Sequence, residues 1–128
     1  MKITVIGAGA MGSVYGGHLS GKHQVYLVDT NPDIVTQINR EGLKIDEDGV
    51  TNTYYPTAVT GTEGLGEMDL VILFVKSIYS RAALAGNQGV IGEKTRLLTL
   101  QNGAGHEDIL KEFVPENRII IEIGRASC

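Results

Sequence analysis

A glycine-rich segment near the start of the chain limits the fold more than any other feature. Residues 7–12 read Gly-Ala-Gly-Ala-Met-Gly, a G-x-G-x-x-G spacing that directly follows the β-branched run Ile3-Thr4-Val5-Ile6. Downstream, apolar residues recur at helical spacing at Met11, Val14, Tyr15 and Leu19. The segment therefore predicts a tight turn from a buried strand into an amphipathic helix.

The rest of the chain continues this alternation of strands and helices. Further strands are expected at 25–28, 43–45, 50–55, 70–75, 97–100 and 119–123, and helices from Pro32 to about Gly42, at 77–84 and at 106–113. Residues 70–75 are apolar without interruption, which is typical of a central parallel strand. The pattern predicts an α/β fold of the Rossmann type: a doubly wound, mostly parallel sheet in a three-layer αβα arrangement.

Composition narrows the function classes. The 128 residues suffice for one domain, and 17 of them are glycines, which indicates tight turns or close approach of the backbone to a ligand. A net charge of −4 argues against nucleic-acid binding, and the longest apolar run is too short to cross a membrane. The single cysteine, Cys128, fits a reducing compartment, so we expect a cytoplasmic protein.

In a dinucleotide site each glycine of the loop has a physical role. Gly7 makes the strand-to-helix turn, Gly9 lets the backbone approach a pyrophosphate, and Gly12 lets the helix pack closely on the strand. Ala8, Ala10 and Met11 complete the predicted cofactor-binding loop. The unpaired N–H groups of the helix N-terminus favour a phosphate there. The alternative is a tight turn that holds no ligand.

Asp29 lies 22 positions after Gly7, at the end of the second predicted strand. A carboxylate there can accept hydrogen bonds from the adenosine ribose of NAD, and its charge opposes the extra phosphate of NADP. No Arg occurs at 30–33 to offset that charge. Asp29 therefore favours NAD, unless it serves only to cap the next helix.

Two more polar residues follow predicted strands that end at the same edge of the sheet. Lys76 comes after six apolar residues, and Asn102 precedes Gly103-Ala104-Gly105. At the carboxyl ends of parallel strands, Lys76 can reach a phosphate or a substrate carboxylate, and Asn102 marks a second close approach of the backbone. The alternatives are a solvated lysine and a turn-forming asparagine.

Four segments together resemble the ketopantoate reductases (2-dehydropantoate 2-reductases) and related 2-hydroxyacid dehydrogenases. They are Ile6-Gly7-Ala8-Gly9-Ala10-Met11-Gly12-Ser13, Arg40-Glu41-Gly42-Leu43, Val75-Lys76-Ser77 and Leu100-Gln101-Asn102-Gly103-Ala104-Gly105. Their order and separation match as well, and the resemblance covers residues 1–123. We therefore interpret 1–123 as an NAD(P)-binding Rossmann domain.

The resemblance implies hydride transfer from NAD(P)H to a 2-oxo acid such as ketopantoate, a step of pantothenate biosynthesis. It implies that the glycine loop holds the pyrophosphate, that Lys76 lies beside the cofactor ribose and the substrate, and that Asn102 contacts the nicotinamide side and the substrate. The resemblance implies NADP, the usual cofactor of the family, whereas Asp29 favours NAD. An NAD-dependent D-2-hydroxyacid dehydrogenase of the same family is one alternative, and a free-standing NAD-sensing regulatory module is another.

The resemblance implies that the proton-donating lysine of the family belongs to a C-terminal helical domain, and we expect that domain to be absent from this chain. Residues 124–128 form an atypical tail, interpreted as the result of a truncation, a frameshift or cloning. No catalytic residue is therefore assigned, and the chain alone is expected to bind cofactor without turning over 2-oxo acids. His18 and His23 lack ligand-spaced partners, so no metal is expected. Self-association into a homo-oligomer stays open.

Overall fold

The β-branched run at the start of the chain forms a central strand of a parallel sheet. The computed structural model describes residues 1–7, 10–75, 77–99 and 106–121. Within these residues the strands are β1 (Lys2–Ile6), β2 (Gln24–Val28), β3 (Leu43–Glu47), β4 (Val50–Tyr54), β5 (Thr57–Val59), β6 (Leu70–Leu73), β7 (Arg96–Thr99) and β8 (Ile119–Ile121). The helices are α1 (Ala10–Ser20), α2 (Pro32–Glu41), α3 (Ser77–Gly86) and α4 (His106–Lys111), with 3-10 turns at Gln88–Val90 and Glu116–Arg118.

Six of the strands form one sheet in the order β5-β2-β1-β6-β7-β8, and every neighbouring pair is parallel. The chain builds outward from β1 to β2 and β5, then returns to β6 on the other side of β1 and builds outward again. The predicted doubly wound α/β fold is confirmed. The strand order reverses between β1 and β6, which is where open α/β sheets form their ligand crevice.

The sheet separates two apolar clusters, one on each face. In β6, Val71 and Leu73 belong to the cluster that also contains Leu84 of α3, while Ile72 belongs to the cluster with Ile38 of α2. Because successive side chains of a strand point to opposite faces, a strand covered on both sides has to be apolar throughout. This explains the uninterrupted apolar run of β6.

The strands β3 and β4 form a separate antiparallel hairpin that packs on α1. Its two-residue turn is Asp48-Gly49, with φ of +52° and +78°, and positive φ at both central residues is typical of tight hairpin turns. On α1, Gly17 makes room for the hairpin, since a Cβ there would lie 2.6 Å from the Ile45 side chain. The strands predicted at 43–45 and 50–55 are the two strands of this hairpin.

Helix α2 begins and ends as its sequence predicts. The Asn31 side chain accepts a hydrogen bond from the Asp33 N–H at 3.0 Å, and Pro32 opens the first turn. At the other end, Gly42 adopts a φ of +81° and its N–H donates to the Ile38 carbonyl.

The bounds of other elements differ from the predicted ones. The strand β5 was not predicted, β6 ends at Leu73 instead of Val75, α3 extends to Gly86, and α4 ends at Lys111. No helix of the described part of the chain has the length and apolar character that a membrane span requires.

Candidate functional site

A cleft of about 550 Å³ opens at the carboxyl ends of β1, β2, β5 and β6. One side is formed by residues that end or follow these strands, and the other by α3. The lining residues are Ile6, Gly7, Val28, Asp29, Thr30, Thr60, Gly61, Val75, Tyr79, Ala82, Ala83, Gly86 and Asn87. The cleft therefore lies at the reversal of strand order, at the carboxyl ends of the strands where the sequence analysis expects the ligand.

Gly7 turns the chain out of β1 at the floor of this cleft. Its φ is +99°, a conformation that side-chain-bearing residues rarely adopt, and its N–H donates to the Val28 carbonyl at 3.3 Å. A Cβ at Gly7 would also lie 3.2 Å from the backbone carbon of Phe74. The conformation at this position therefore favours glycine, and a side chain would in addition require Phe74 to move by a few tenths of an ångström.

Gly12 places α1 in direct contact with Gly7, the residue that directly follows β1. A Cβ at Gly12 would overlap the carbonyl oxygen of Gly7. Since α1 begins at Ala10, only three residues after Gly7, its first turn lies against the end of β1. The predicted residues Ala10 and Met11 belong to this turn of α1.

Asp29 lies half-buried in the same cleft, directly after β2. Its N–H donates to the Val59 carbonyl at 3.0 Å, and its Oδ1 accepts a hydrogen bond from the Asn31 N–H at 2.8 Å. The N-cap residue of α2 is Asn31 and not Asp29. The structure therefore does not support the alternative that Asp29 only caps this helix. Among the described residues, the second carboxylate oxygen has no hydrogen-bond partner.

The structure therefore brings Gly7 and Asp29 to one cleft, with Gly12 packed directly against Gly7. Four other residues of the predicted site, Ala8, Gly9, Lys76 and Asn102, lie outside the described residues, as does the predicted tail at 124–128. Val75, the residue before Lys76, lines the cleft.

Sequence reasoning missed the α3 side of the cleft. Tyr79, Ala82, Ala83 and Gly86 all line it, and their spacing of three and four residues is that of one helix face. At the end of α3, the Asn87 amide donates to the Ala83 carbonyl and accepts from the Thr62 hydroxyl, both at 2.6 Å. The helical spacing was readable in the sequence, but its orientation toward the strand ends was not.

Asp29 is the charged residue among the described residues that line the cleft. Among the described lining residues there is no Lys or Arg, so nothing there offsets its carboxylate. The described part of the chain contains no group of three or more His, Cys, Asp or Glu residues placed to hold a metal ion. His18 instead pairs with Glu47 at 2.7 Å, away from the cleft, and its ring lies 5.2 Å from that of Tyr54.

Comparison with known proteins identifies the family. The family model described as ketopantoate reductase PanE/ApbA matches residues 3–125. The chain belongs to the ketopantoate reductase family. The 2-dehydropantoate 2-reductase of Streptococcus pyogenes serotype M3 is 35% identical over 124 residues, which are 96% of this chain and 40% of that protein.

Solved structures of similar proteins have the same fold. A protein from Enterococcus faecalis assigned as a 2-dehydropantoate 2-reductase superposes with a TM-score of 0.86 at 36% identity, over 94% of this chain and 40% of that one. A ternary structure of D-mandelate dehydrogenase with NADH and anilino(oxo)acetate gives a TM-score of 0.83 at 40% identity, with the same coverage of 94% and 40%. The chain thus spans about 40% of the length of these relatives.

Proposed function

We propose that this domain holds a nicotinamide dinucleotide in the cleft and that the protein to which it belongs reduces a 2-oxo acid, with 2-dehydropantoate as the first candidate. One observation carries the proposal: Gly7, which contacts Gly12, and Asp29 line the same cleft at the reversal of strand order. The first turn of α1 would bind the pyrophosphate, and Asp29 would bind the adenosine ribose. Membership of the ketopantoate reductase family supports the reaction type.

In this proposal the cofactor supplies the hydride, which goes to the carbon of the substrate ketone, while a proton goes to the carbonyl oxygen. Lys76 and Asn102 are proposed to contact the substrate, and Lys76 also the cofactor ribose. The position of Val75 in the cleft supports this for Lys76, which follows it in the chain. The proton donor is expected outside residues 1–123, as the family resemblance implies.

We further propose that NADH is preferred over NADPH. The additional phosphate of NADPH would lie on the ribose next to Asp29, where two negative groups repel each other at short range. The residues that follow, Thr30-Asn31-Pro32-Asp33, contain no cation. The similarity to D-mandelate dehydrogenase, whose structure contains NADH, is in line with this preference.

The same observations favour a second candidate substrate class. Asp29 and the 40% identity to D-mandelate dehydrogenase support an NAD-dependent D-2-hydroxyacid dehydrogenase of this family. Turnover of NADH with 2-dehydropantoate, compared with an aromatic 2-oxo acid, discriminates the two candidates when the whole protein is assayed. Faster turnover of the aromatic acid would favour the second.

The experiment that tests cofactor binding titrates NADH and NADPH into the chain and follows nicotinamide fluorescence. We expect tighter binding of NADH, and we expect Asp29→Asn to reduce the ratio of the two dissociation constants by about tenfold, which corresponds to ~1.4 kcal/mol. Asparagine retains the oxygen that accepts the Asn31 N–H, so the turn after β2 is preserved while the charge is removed.

Asp33→Asn is the matched control, because it removes a charge four residues away that does not line the cleft. Its ratio should equal that of the wild type. Tighter binding of NADPH by the wild type would contradict the cofactor preference, and absence of binding of both dinucleotides would contradict the proposed function itself.

A further inference from the structure

We propose that Tyr79 is the platform on which the adenine base of the dinucleotide stacks, an inference that rests on the proposed function. Tyr79 is 58% exposed although it lines the cleft. An aromatic side chain that retains so much exposed surface inside a concave site has a ring face available to a flat ligand group. No other aromatic residue lines the described part of the cleft.

The helix that carries Tyr79 provides the space for such a group. On the same face of α3, the residues toward the C-terminus are Ala82, Ala83 and Gly86. At Gly86 even a Cβ would have nothing within 4 Å. One bulky ring followed by three small residues leaves space for a ligand group along the helix beside Tyr79.

The residues on the opposite side of the cleft determine where the ribose of the ligand would lie. Asp29 and Thr30 follow β2, and Thr60 and Gly61 follow β5, so these four residues face α3 across the cleft. A ribose bound to the Asp29 carboxylate carries its base on the adjacent carbon. The base therefore has to lie in the space between these loops and α3, the region that Tyr79 lines.

The chemistry of this region favours recognition by stacking over recognition by charge. The described lining contains no Lys or Arg, and both ends of the Asn87 amide are already bonded, to the Ala83 carbonyl and the Thr62 hydroxyl. Stacking requires only the π-face that adenine offers and no donor or acceptor from the protein.

The test measures the affinity of Tyr79→Ala and Tyr79→Phe for NADH and for ADP-ribose, which lacks the nicotinamide. A base stacked on an aromatic ring typically loses about 5- to 150-fold in affinity when that ring is removed. We expect Tyr79→Ala to lose at least about fivefold, by the same factor for both ligands, and Tyr79→Phe to stay within about twofold of the wild type.

Tyr55→Ala is the matched control, since Tyr55 is 75% exposed and does not line the cleft. Because Tyr79 is also largely exposed, its removal should leave the thermal transition close to that of the wild type, and this is measured in parallel. Tyr79→Phe keeps the ring and removes only the hydroxyl group, so it tests the role of the ring without the loss of side-chain volume that could disturb folding.

Three outcomes would overturn the inference. They are an unchanged affinity of Tyr79→Ala, a loss of affinity for NADH but not for ADP-ribose, and an equal loss in Tyr79→Phe, which would indicate a role of the hydroxyl group. These results are distinguishable from failure of the proposed function, because in each of them the wild type still binds NADH.

Discussion

At the scale of single residues, two buried threonines make opposite contributions to stability. The Thr4 side chain in β1 is fully buried, and within the described part of the chain its hydroxyl oxygen has no hydrogen-bond partner. Thr95, with 1% exposure, donates to the Met68 carbonyl at 2.6 Å and accepts from the Gly92 N–H at 2.8 Å. A buried hydroxyl without a partner costs free energy, whereas a bonded one satisfies groups that would otherwise be left unpaired.

We therefore expect the same substitution at the two positions to have opposite effects. Thr4→Val should raise the free energy of unfolding by about 1 kcal/mol, because it removes an unpartnered hydroxyl from an otherwise apolar site. Thr95→Val should lower it by about 1–3 kcal/mol, because two backbone groups lose their partner. Urea unfolding of both variants measures the difference, and a shift of the same sign in both would contradict this account.

The residues of the site that sequence reasoning found are those whose role is local. Gly7 and Gly12 are required by backbone geometry within six positions, and Asp29 follows directly from the end of a strand. Tyr79 is different, because an isolated tyrosine in a helix gives no sign of whether it packs or faces a cleft. Its position depends on how α3 returns to the sheet, which is a property of the assembled fold.

At the scale of elements, a surface ion pair joins α3 to Glu112, the residue that directly follows α4. The Arg81 guanidinium donates two hydrogen bonds to the Glu112 carboxylate, at 3.0 and 2.6 Å. These bonds hold the pKa of Glu112 below its usual value. Because the pKa is lowered in the folded state, the contribution to stability is present above the unfolded pKa of about 4.3 and is lost as the pH falls through the folded value.

Glu112→Gln should consequently flatten the acid side of the stability profile. We expect its melting temperature to fall less than that of the wild type when the pH is lowered from neutral to acid. The difference between the two proteins should be small and should decrease with added salt, because both side chains are exposed. Glu63→Gln, an exposed glutamate in the loop after β5, should follow the wild type. Identical profiles for wild type and Glu112→Gln would contradict the assigned role of the pair.

The elements that the sequence predicted well are those with a strong apolar pattern or a cap, such as β6 and α2. The strand β5 was missed because Thr57-Ala58-Val59 is too short to show a pattern of its own. It is a strand because β2 offers it a parallel partner, with Leu27 opposite Ala58. Such partners are separated in sequence and become visible only in the fold.

At the scale of the whole molecule, a side chain from α2 hydrogen-bonds to the backbone of an edge strand of the sheet. In the edge strand β5, Ala58 donates its N–H to Asn39 Oδ1 at 2.8 Å, and its carbonyl accepts from Asn39 Nδ2 at 2.9 Å. The Asn39 amide of α2 thus occupies the groups that a further strand would use. Unpaired edge groups are a template for pairing with another chain.

Asn39→Ala should expose this edge. We expect a loss of about 1–2 kcal/mol in the free energy of unfolding and stronger self-association than the wild type in sedimentation velocity at rising concentration. Gln37→Ala, on the same exposed helix, should change neither. An Asn39→Ala variant that sediments like the wild type at every concentration would show that the edge is protected by other means.

The parallel sheet also has a consequence for the order in which the molecule assembles. Ile3 of β1 pairs with Val25 on one side and with Leu70 on the other, so the first strand of the chain meets its second neighbour only after more than half of the sequence is available. The cleft collects residues from Ile6 to Asn87 and cannot exist before that late pairing. Strands this far apart in sequence can pair only after the chain between them has lost conformational entropy, and this cost slows folding. A dinucleotide that occupies this cleft would therefore bind only chains that have completed the central pairing, and its binding would report that step of folding.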